Sequence, residues 1–336
     1  MVMNIQGSMT TVLPIEDESQ IGHARRVAQS LAVELAFDET DAGRVALVAT
    51  ELATNLLKHA HHGALHLRAI PAQSGQGIEL IAIDRGPGFN PNECLADGFS
   101  TGGTQGTGLG ALSRQAQLFD IHSDSRGSVV LAQLYPRHVS AVPLRFGVSQ
   151  HSLKNDPACG DVWHLAVKGT RLSALVIDGI GHGEDAEQAG LAGAAAFAMD
   201  PFADPTISML DMHQAMTGSR GGAAAIALYD ADKVRFAGIG NIGACLLNAE
   251  KSRGMASHPG IVGSQFRKAV AFDYPVDSAQ LLVMYSDGLQ SRWDLRDYPG
   301  LVHRHPAIIA ALLHRDFCRG RDDVTVMVIA LEAIVD

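Results

Sequence analysis

The stretch Glu51-Leu-Ala-Thr-Asn55 is the first of three spaced segments that decide the fold of the N-terminal half of this 336-residue chain. It lies in a predicted helix over residues 41–59, which Asp41 can cap and whose apolar residues recur at helical spacing. Glu51 and Asn55 are four residues apart in the sequence. They therefore project from one face of the helix, one turn from each other, and place a carboxylate beside a carboxamide.

Two glycine-rich segments follow this helix. Asp84-Arg-Gly-Pro-Gly88 comes at the end of a predicted strand, and Gly103-Thr-Gln-Gly-Thr-Gly-Leu-Gly110 comes directly before a predicted helix. Residues 84–108 show no apolar period, which predicts a long loop, and long loops inside a compact domain are usually functional. Glycines let the backbone approach a ligand closely, and free backbone N–H groups before a helix can bind phosphate.

Around these segments the pattern predicts an α+β domain, with helices on one face of a mixed or antiparallel sheet. Further helices are predicted over residues 21–37 and 109–118. Residues 64–70 and 77–83 alternate apolar and polar residues, as half-buried strands do, and residues 119–123 with 128–135 are predicted as a closing hairpin. We assign residues 10–136 to this domain and residues 137–144 to a linker.

The polar groups of the three segments each have a functional and a structural interpretation. Asn55 can complete the oxygen shell of a Mg²⁺ ion, and Glu51 can take a proton from an attacking hydroxyl. Alternatively, both belong to a solvated stripe opposite the apolar face of the helix. Asp84 can accept a hydrogen bond from an adenine amino group beside Gly86 and Gly88, or it belongs to an ordinary Asp-Gly turn. The three segments in this order are more specific than any one of them.

Together the three segments resemble the GHKL, or Bergerat-fold, ATPases, and the compact length resembles the anti-sigma and stressosome-switch serine/threonine kinases of that group. The resemblance implies an ATP and Mg²⁺ site, with Glu51 as the catalytic residue and Asn55 as the magnesium ligand. It also implies that Asp84 binds adenine. The residues that it implies for nucleotide binding are Asn55, Asp84, Gly86, Gly88, Gly106, Gly108, Gly110 and Ser128.

The C-terminal half has a different pattern, with many short apolar strands between a few helices. Helices are predicted over residues 186–199, 207–216 and 306–317. The predicted strands cover residues 162–167, 173–177, 223–229, 234–238, 244–247, 280–285 and 324–330. This pattern predicts a β-sandwich flanked by helices, which we assign to residues 145–336.

Four aspartates of this half lie at the ends of predicted strands, namely Asp161, Asp178, Asp287 and Asp322. So many hard oxygen ligands favour Mg²⁺ or Mn²⁺ over zinc. Two metal ions held by shared carboxylates can bridge a water, lower its pKa and direct it at phosphorus. Taken singly, each Asp-Gly is more often a turn.

In order and spacing this set resembles the metal-dependent protein phosphatases (PPM, or protein phosphatase 2C type), and within them the bacterial sporulation (SpoIIE) and stressosome-feedback branch. The resemblance implies two Mn²⁺ or Mg²⁺ ions, and the sequence leaves the choice between these metals open. It implies that Asp178 bridges the ions and that Asp287 and Asp322 complete the first. The Gly179 carbonyl then binds the second ion, and Asp161 binds directly or through water.

Three neighbouring positions have weaker assignments. Asp323 adjoins an implied metal ligand and is expected to support it rather than to bind the ion. His182 is expected to pack rather than to transfer a proton. The arginine with which larger members of the family bind phosphate has no clear match, and Lys154 is a weak substitute.

Composition restricts the class of protein. The formal net charge of −10 argues against nucleic acid or an anionic membrane as a partner. The four cysteines are scattered without a Cys-x-x-Cys pair, which favours a reduced setting. The chain shows neither a signal-peptide pattern nor an apolar stretch long enough for a bilayer. These features predict a soluble cytoplasmic protein.

The two halves together predict a bifunctional switch enzyme. The N-terminal domain would phosphorylate Ser or Thr on a small partner, and the C-terminal domain would remove that phosphate. By resemblance the partner is a STAS-domain protein, either an anti-sigma antagonist or a stressosome subunit. The alternative is a phosphatase whose N-terminal domain binds ATP and a partner, for sequestration or nucleotide sensing, without kinase activity. A general ATPase unrelated to partner proteins is a further alternative.

Overall fold

In the computed structural model the described residues form three β-sheets with helices packed on them. The structure describes residues 2–60, 63–94, 109–265, 267–276 and 280–331. The chain divides into two compact units. The N-terminal unit contains Thr10–Val142 and Asp297–Leu312, and the C-terminal unit contains Met1–Met9, Pro143–Arg296 and Leu313–Asp336.

The first part of the chain contains the elements of the N-terminal unit and one strand of the other unit. In chain order these are β1 (Met3–Gln6), β2 (Thr11–Ile15), α1 (Glu18–Glu34), α2 (Glu39–His59), β3 (Gly63–Pro71), β4 (Gln76–Ile83), α3 (Pro91–Cys94), α4 (Leu109–Gln115), β5 (Leu118–Asp124) and β6 (Gly127–Leu134). Each helix and strand predicted for this part has an observed counterpart. The short elements β1, β2 and α3 were not predicted.

The sheet of the N-terminal unit has the order β2-β3-β4-β6-β5, and its neighbouring strands are all antiparallel. The helices α1 and α2 pack on this sheet around a shared apolar core. Ala24, Ala28 and Ala32 form a fully buried row along α1, and their small side chains let α1 approach α2 closely. The predicted α+β layer is confirmed.

The start of α2 differs from the prediction. The helix begins at Glu39, and its N-cap is Asp38, whose carboxylate accepts the Asp41 N–H at 2.7 Å. The prediction that Asp41 caps the helix is therefore wrong. The buried Asp41 carboxylate lies inside the first turn, where it contacts the Arg44 guanidinium at 3.1 Å and accepts the Arg137 N–H at 2.9 Å.

The remaining elements build the C-terminal unit, except that α7 contributes residues to both units. They are β7 (Phe146–His151), β8 (Asp161–Lys168), β9 (Arg171–Gly179), α5 (Glu184–Met199), α6 (Pro205–Ala215), β10 (Gly222–Asp230), β11 (Lys233–Ile239), β12 (Gly243–Leu247), β13 (Ser252–Gly254), β14 (Phe272–Pro275), β15 (Leu281–Tyr285), α7 (Pro306–Phe317) and β16 (Val324–Ala330). One sheet has the order β1-β8-β9-β10-β11-β14 and the other β13-β12-β15-β16-β7. The helices α5 and α6 pack on the first sheet. The predicted β-sandwich flanked by helices is confirmed.

The strand β1 belongs to the C-terminal unit, although the next strand, β2, belongs to the N-terminal unit. It pairs antiparallel with β8, and this register joins Met3 to Val167 and Gln6 to His164. The buried His164 ring contacts Asn4 Oδ1 at 3.1 Å and Gln6 Nε2 at 3.3 Å. Burial lowers the pKa of His164 to about 4, so the neutral ring offers one donor and one acceptor to the side chains of β1.

Gly7, directly after β1, lies against the buried indole of Trp163. A Cβ at position 7 would be 1.8 Å from Trp163 Cζ2. We therefore expect Gly7→Ala to lower the free energy of unfolding of the C-terminal unit by about 1–3 kcal/mol. Urea unfolding followed by tryptophan fluorescence measures this change. The control is Gly254→Ala, whose new Cβ meets no described heavy atom within 4 Å. Equal unfolding midpoints for the wild type and Gly7→Ala would contradict the contact.

The segment 297–312 packs within the N-terminal unit. Asp120 on β5 accepts the His305 N–H at 2.7 Å and pairs with the Arg304 guanidinium at 3.2 Å. The Arg126 guanidinium lies 3.8 Å from the centre of the Tyr298 ring. The sequence-based division assigns this segment to the C-terminal domain, and its polar contacts with β5 carry no periodic signal in the sequence.

Two further findings concern the class of protein. None of the described helices is long and apolar enough to cross a membrane. All four cysteines lie in the described part of the chain and are free thiols. Burial raises the pKa of Cys245 to about 12, so this thiol is held in its protonated form at neutral pH.

Candidate functional sites

The first candidate site lies where β4 ends and β6 begins. Asp84 Oδ1 accepts the Gly86 N–H at 2.7 Å and the Ser128 N–H at 3.2 Å, and Asp84 Oδ2 accepts the Ser128 hydroxyl. Both Asp84 and Ser128 are buried. The structure thus brings together the two side chains that the resemblance assigns to adenine, although they are 44 residues apart in the chain.

The glycines of this site allow close backbone approaches. Gly127 has a φ of +127°, and a Cβ there would be 2.1 Å from the Asp84 carbonyl oxygen. A side chain at this position would therefore displace the Asp84 backbone. A Cβ on Gly86 would be 3.1 Å from the His59 carbonyl oxygen. The turn after Asp84 thus packs against the last turn of α2, the helix with the other predicted site residues.

Glu51 and Asn55 lie on α2, one turn apart and both partly exposed, as the spacing predicts. Gly110 is the second residue of α4, which packs on α2, and it is buried. Gly88 lies beyond the Asp84 turn with a φ of +72°. The predicted Gly106 and Gly108 lie outside the described residues.

The second candidate site is a cluster of carboxylates at the edge of the C-terminal sandwich. Asp161 and Asp178 face each other as register partners on β8 and β9. Asp161 is 1% exposed, and its Oδ2 accepts the Ser286 hydroxyl at 2.6 Å. Its Oδ1 is buried and has no hydrogen-bond partner among the described residues. A buried oxygen in this state is costly unless another group compensates it.

Burial and the charges of neighbouring aspartates raise the pKa values of three carboxyl groups in this cluster. Burial, followed by repulsion from Asp287 and Asp322, raises the pKa of Asp178 to about 7. Burial and the Asp178 charge raise the pKa of Asp161 well above its usual range. Burial also raises the pKa of Asp322, and Asp287 adds to that rise. The negative charges of Asp287 and Asp322 therefore act on Asp178, and that of Asp178 acts on Asp161.

The neighbouring residues divide into supporting and exposed groups. Asp323 is buried and accepts the N–H groups of Leu153 and Gly160, both at 2.6 Å, so it braces two chain segments beside the cluster. His182 is exposed and interacts electrostatically with Asp322. The expectation that His182 packs is therefore wrong, because the glycine-rich turn leaves its ring in solvent. Lys154 is exposed as well.

Two residues that contact the cluster were missed in the sequence analysis. Ser286 donates to Asp161, as described above, and the Asn241 side chain donates to Asp287 Oδ2 at 2.6 Å. Ser286 directly precedes the predicted ligand Asp287 in the sequence, and this position was an available signal. Asn241 follows Gly240 in the connection from β11 to β12, and its contact with Asp287 is evident only from the structure.

The donor chemistry of the cluster suits a divalent cation. Asp161 Oδ1 lacks a partner among the described residues, and the pKa values of Asp161, Asp178 and Asp322 are raised by burial and mutual repulsion. Both features favour a hard cation bound by oxygen. Within the described ranges, however, no three His, Cys, Asp or Glu side chains have the spacing of a preformed metal site. Two of the carboxylates are instead oriented by Ser286 and Asn241.

Comparison with known proteins agrees with both folds. Residues 14–134 match the histidine kinase-like ATPase domain. The chain is 33% identical over 110 residues to the serine/threonine-protein kinase RsbT of Bacillus subtilis (strain 168), covering 32% of this chain and 83% of that relative. A second match is a structure from work that describes the bacterial stressosome as a modular system adapted to control secondary messenger signalling. It has a TM-score of 0.52 at 24% identity, over 55% of this chain and 98% of that one. A crystal structure of RsbX with magnesium matches with a TM-score of 0.50 at 20% identity, over 56% of this chain and 94% of that one.

The chain belongs to the histidine kinase-like ATPase family through its N-terminal unit. That unit is of the anti-sigma and stressosome-switch kinase type, and it is fused to a unit with the PPM-type phosphatase fold. The resemblance to both families is therefore confirmed. The two structural matches establish the fold of the C-terminal unit.

Proposed function

We propose that this chain is a bifunctional switch enzyme that phosphorylates Ser or Thr on a small partner protein and removes the same phosphate. The observation that carries the proposal is the fusion of two regions. One is an ATPase region related to a serine/threonine kinase, and the other is a PPM-type fold with a buried carboxylate cluster. Because both units belong to one chain, the kinase-like and phosphatase-like units are always present in equal numbers.

In the N-terminal unit the proposed kinase site uses the residues around α2. ATP with Mg²⁺ supplies the phosphoryl group when bound. The Asp84 carboxylate is oriented by its hydrogen bonds with Ser128 and Gly86, and it accepts a hydrogen bond from the adenine amino group. Asn55 holds the magnesium ion, and Glu51 takes the proton of the attacking hydroxyl one helical turn away. Gly86, Gly88 and the glycines 106, 108 and 110 let the backbone approach the nucleotide.

In the C-terminal unit the proposed phosphatase site uses the carboxylate cluster. Two Mn²⁺ or Mg²⁺ ions supply a water of lowered pKa when bound. The residues that hold them are Asp161, Asp178, Asp287, Asp322 and the carbonyl of Gly179. Ser286 orients Asp161, and Asp323 braces the segments that lead into β8. A cation at this cluster relieves the repulsion that raises the pKa of Asp178.

The partner that we propose is a STAS-domain protein of the anti-sigma antagonist or stressosome type. The relation to RsbT supports this class, and so does the fold shared with a stressosome-related structure. The net charge of −10 makes a nucleic acid an unsuitable partner.

A pulse and removal experiment with the wild-type chain tests both activities. Candidate STAS-domain proteins are incubated with labelled ATP and Mg²⁺, and apyrase then destroys the ATP in the presence of Mn²⁺. We expect label to appear on Ser or Thr of one partner and then to leave as inorganic phosphate. Absence of label on every partner, with the wild type and with Asp178→Asn alike, would contradict the kinase activity, and label that survives the second stage with the wild type would contradict the phosphatase activity.

A second candidate function is a phosphatase gated by nucleotide, and the segment 297–312 favours it. This segment lies in sequence between the cluster residues Asp287 and Asp322, yet it contacts Arg126, which directly precedes Gly127 and Ser128 of the nucleotide site. Arg126 also donates to the Asp297 carbonyl at 2.7 Å. Nucleotide binding at Asp84 can therefore act on a segment that is covalently continuous with the phosphatase site.

Arg126→Ala tests this gating. We expect a non-hydrolysable ATP analogue to change the rate of phosphoserine-peptide hydrolysis by the wild type at least about twofold, and to leave the rate of Arg126→Ala unchanged. The measurement is a titration of the analogue at fixed peptide concentration. The control is Arg171→Ala, which removes another arginine stacked on an aromatic ring, that of Phe202. A wild-type rate indifferent to the analogue would exclude gating and leave the switch proposal untouched.

A further inference from the structure

Asn241 occupies a fixed position opposite one residue of the carboxylate cluster. It lies in the connection from β11 to β12, and β12 pairs with β15 so that Gly243 is the partner of Tyr285. The ladder ends at this pair, and Asn241 and Asp287 each lie two residues beyond it, in the segments that adjoin the two strands. Their hydrogen bond joins two side chains that are 46 residues apart in the chain.

The backbone directly before Asn241 is held in place by contacts with neighbouring segments. The N–H of Gly240 donates to the His258 carbonyl at 2.8 Å, and Ile239 forms a bridge with His258. Gly240 has a φ of +88°, and a Cβ there would be 2.5 Å from Ala223 Cβ. A glycine is therefore required at this turn, and the turn determines where the Asn241 side chain points.

The contact itself has a defined direction. Asn241 Nδ2 donates to Asp287 Oδ2 at 2.6 Å, so one carboxylate oxygen is engaged and the orientation of the carboxylate is restricted. Asp287 is one of the residues that hold the metal ions in the proposed phosphatase site. An amide is neutral, so it orients Asp287 without offsetting the negative charge that attracts a cation. A lysine or arginine in its place would compete with that cation.

We infer that Asn241 is a positioning residue that orients Asp287 and thereby sets the affinity of the carboxylate cluster for divalent cations. This inference rests on the proposed phosphatase function. Hydrogen bonds to ligating carboxylates stabilise the ligand orientation, and their loss typically lowers metal affinity or activity by about 10- to 100-fold. Asn241 acts on the metal through Asp287 and does not itself contact substrate.

Direct Mn²⁺ binding to the full-length chain tests the inference without relying on activity. Loss of the free Mn²⁺ signal in electron paramagnetic resonance gives the dissociation constant. We expect Asn241→Leu and Asn241→Ala to weaken Mn²⁺ binding by about 10- to 100-fold. Asn241→Gln keeps an amide donor, so its Mn²⁺ affinity should lie closer to the wild-type value than the affinities of the Leu and Ala variants do. Because Asn241 is exposed, its substitution should leave the unfolding midpoint in EDTA unchanged.

A matched control removes another asparagine of the same unit. Asn248 Oδ1 accepts the N–H groups of Glu250 and Lys251 in a surface turn, and Asn248→Ala should leave Mn²⁺ affinity unchanged. Wild-type affinity in Asn241→Leu and Asn241→Ala would overturn the inference while the proposed phosphatase site stands. A wild-type chain that binds no Mn²⁺ or Mg²⁺ would overturn both.

Discussion

Replacing Asp178 by asparagine is expected to lower the phosphatase rate by about 10³-fold or more while partner phosphorylation continues. Asp178 lies at the centre of the cluster: it is the register partner of Asp161, and its pKa is raised to about 7 by burial and by the charges of Asp287 and Asp322. Asparagine keeps the shape and removes the charge that a bridging metal ligand needs. Hydrolysis of a phosphoserine peptide at saturating Mn²⁺ measures the effect.

The matched control for this variant is Asp230→Asn. Asp230 ends β10, whose first residue, Gly222, pairs with Gly179 beside Asp178. The control therefore makes the same change of charge at the opposite end of the same strand pair. We expect Asp230→Asn to keep the wild-type rate, because its exposed pair with Arg171 contributes little. An Asp178→Asn rate within tenfold of the wild type would mean that the cluster is not the phosphatase site.

Long elements with a clear period were predictable from the sequence. The helices α1, α2, α5 and α7 and the central strands of both units carry apolar repeats that follow from packing one face on a core. The strands β1, β13 and β14 were missed because they are short edge strands, and three or four residues carry too little pattern. The pairing of β1 with β8 joins residues about 160 apart, which local pattern does not encode.

The candidate sites were predictable where a motif was complete. Asp84 with Ser128, and Asp161 with Asp178, were named from sequence and lie together in the structure. Ser286 and Asn241 were missed as contacts because both lie just beyond strand ends, where only the tertiary fold brings them to Asp161 and Asp287. Residue type alone does not indicate such a partner.

Glu51→Gln is expected to lower the rate of partner phosphorylation by about 10²- to 10⁴-fold, since a carboxamide does not accept a proton as a general base. Asn55→Ala should lower the same rate by weakening Mg²⁺ binding with ATP. Each substitution is best measured together with Asp178→Asn, so that the label placed on the partner is not removed. ATP-analogue binding serves as a second readout, and Glu51→Gln should change it little.

Glu39→Gln is the control, because it removes the same charge from the exposed first turn of α2, 12 residues before Glu51. The comparison separates the two interpretations of the N-terminal unit. A general base is needed for phosphoryl transfer. A module that sequesters a partner needs only to bind ATP and to present a surface that fits the partner. If Glu51→Gln phosphorylates the partner at the wild-type rate, Glu51 is not the base. If neither the wild type nor the variant phosphorylates a partner that both still bind, the unit is a binding or sensing module and the chain is a regulated phosphatase.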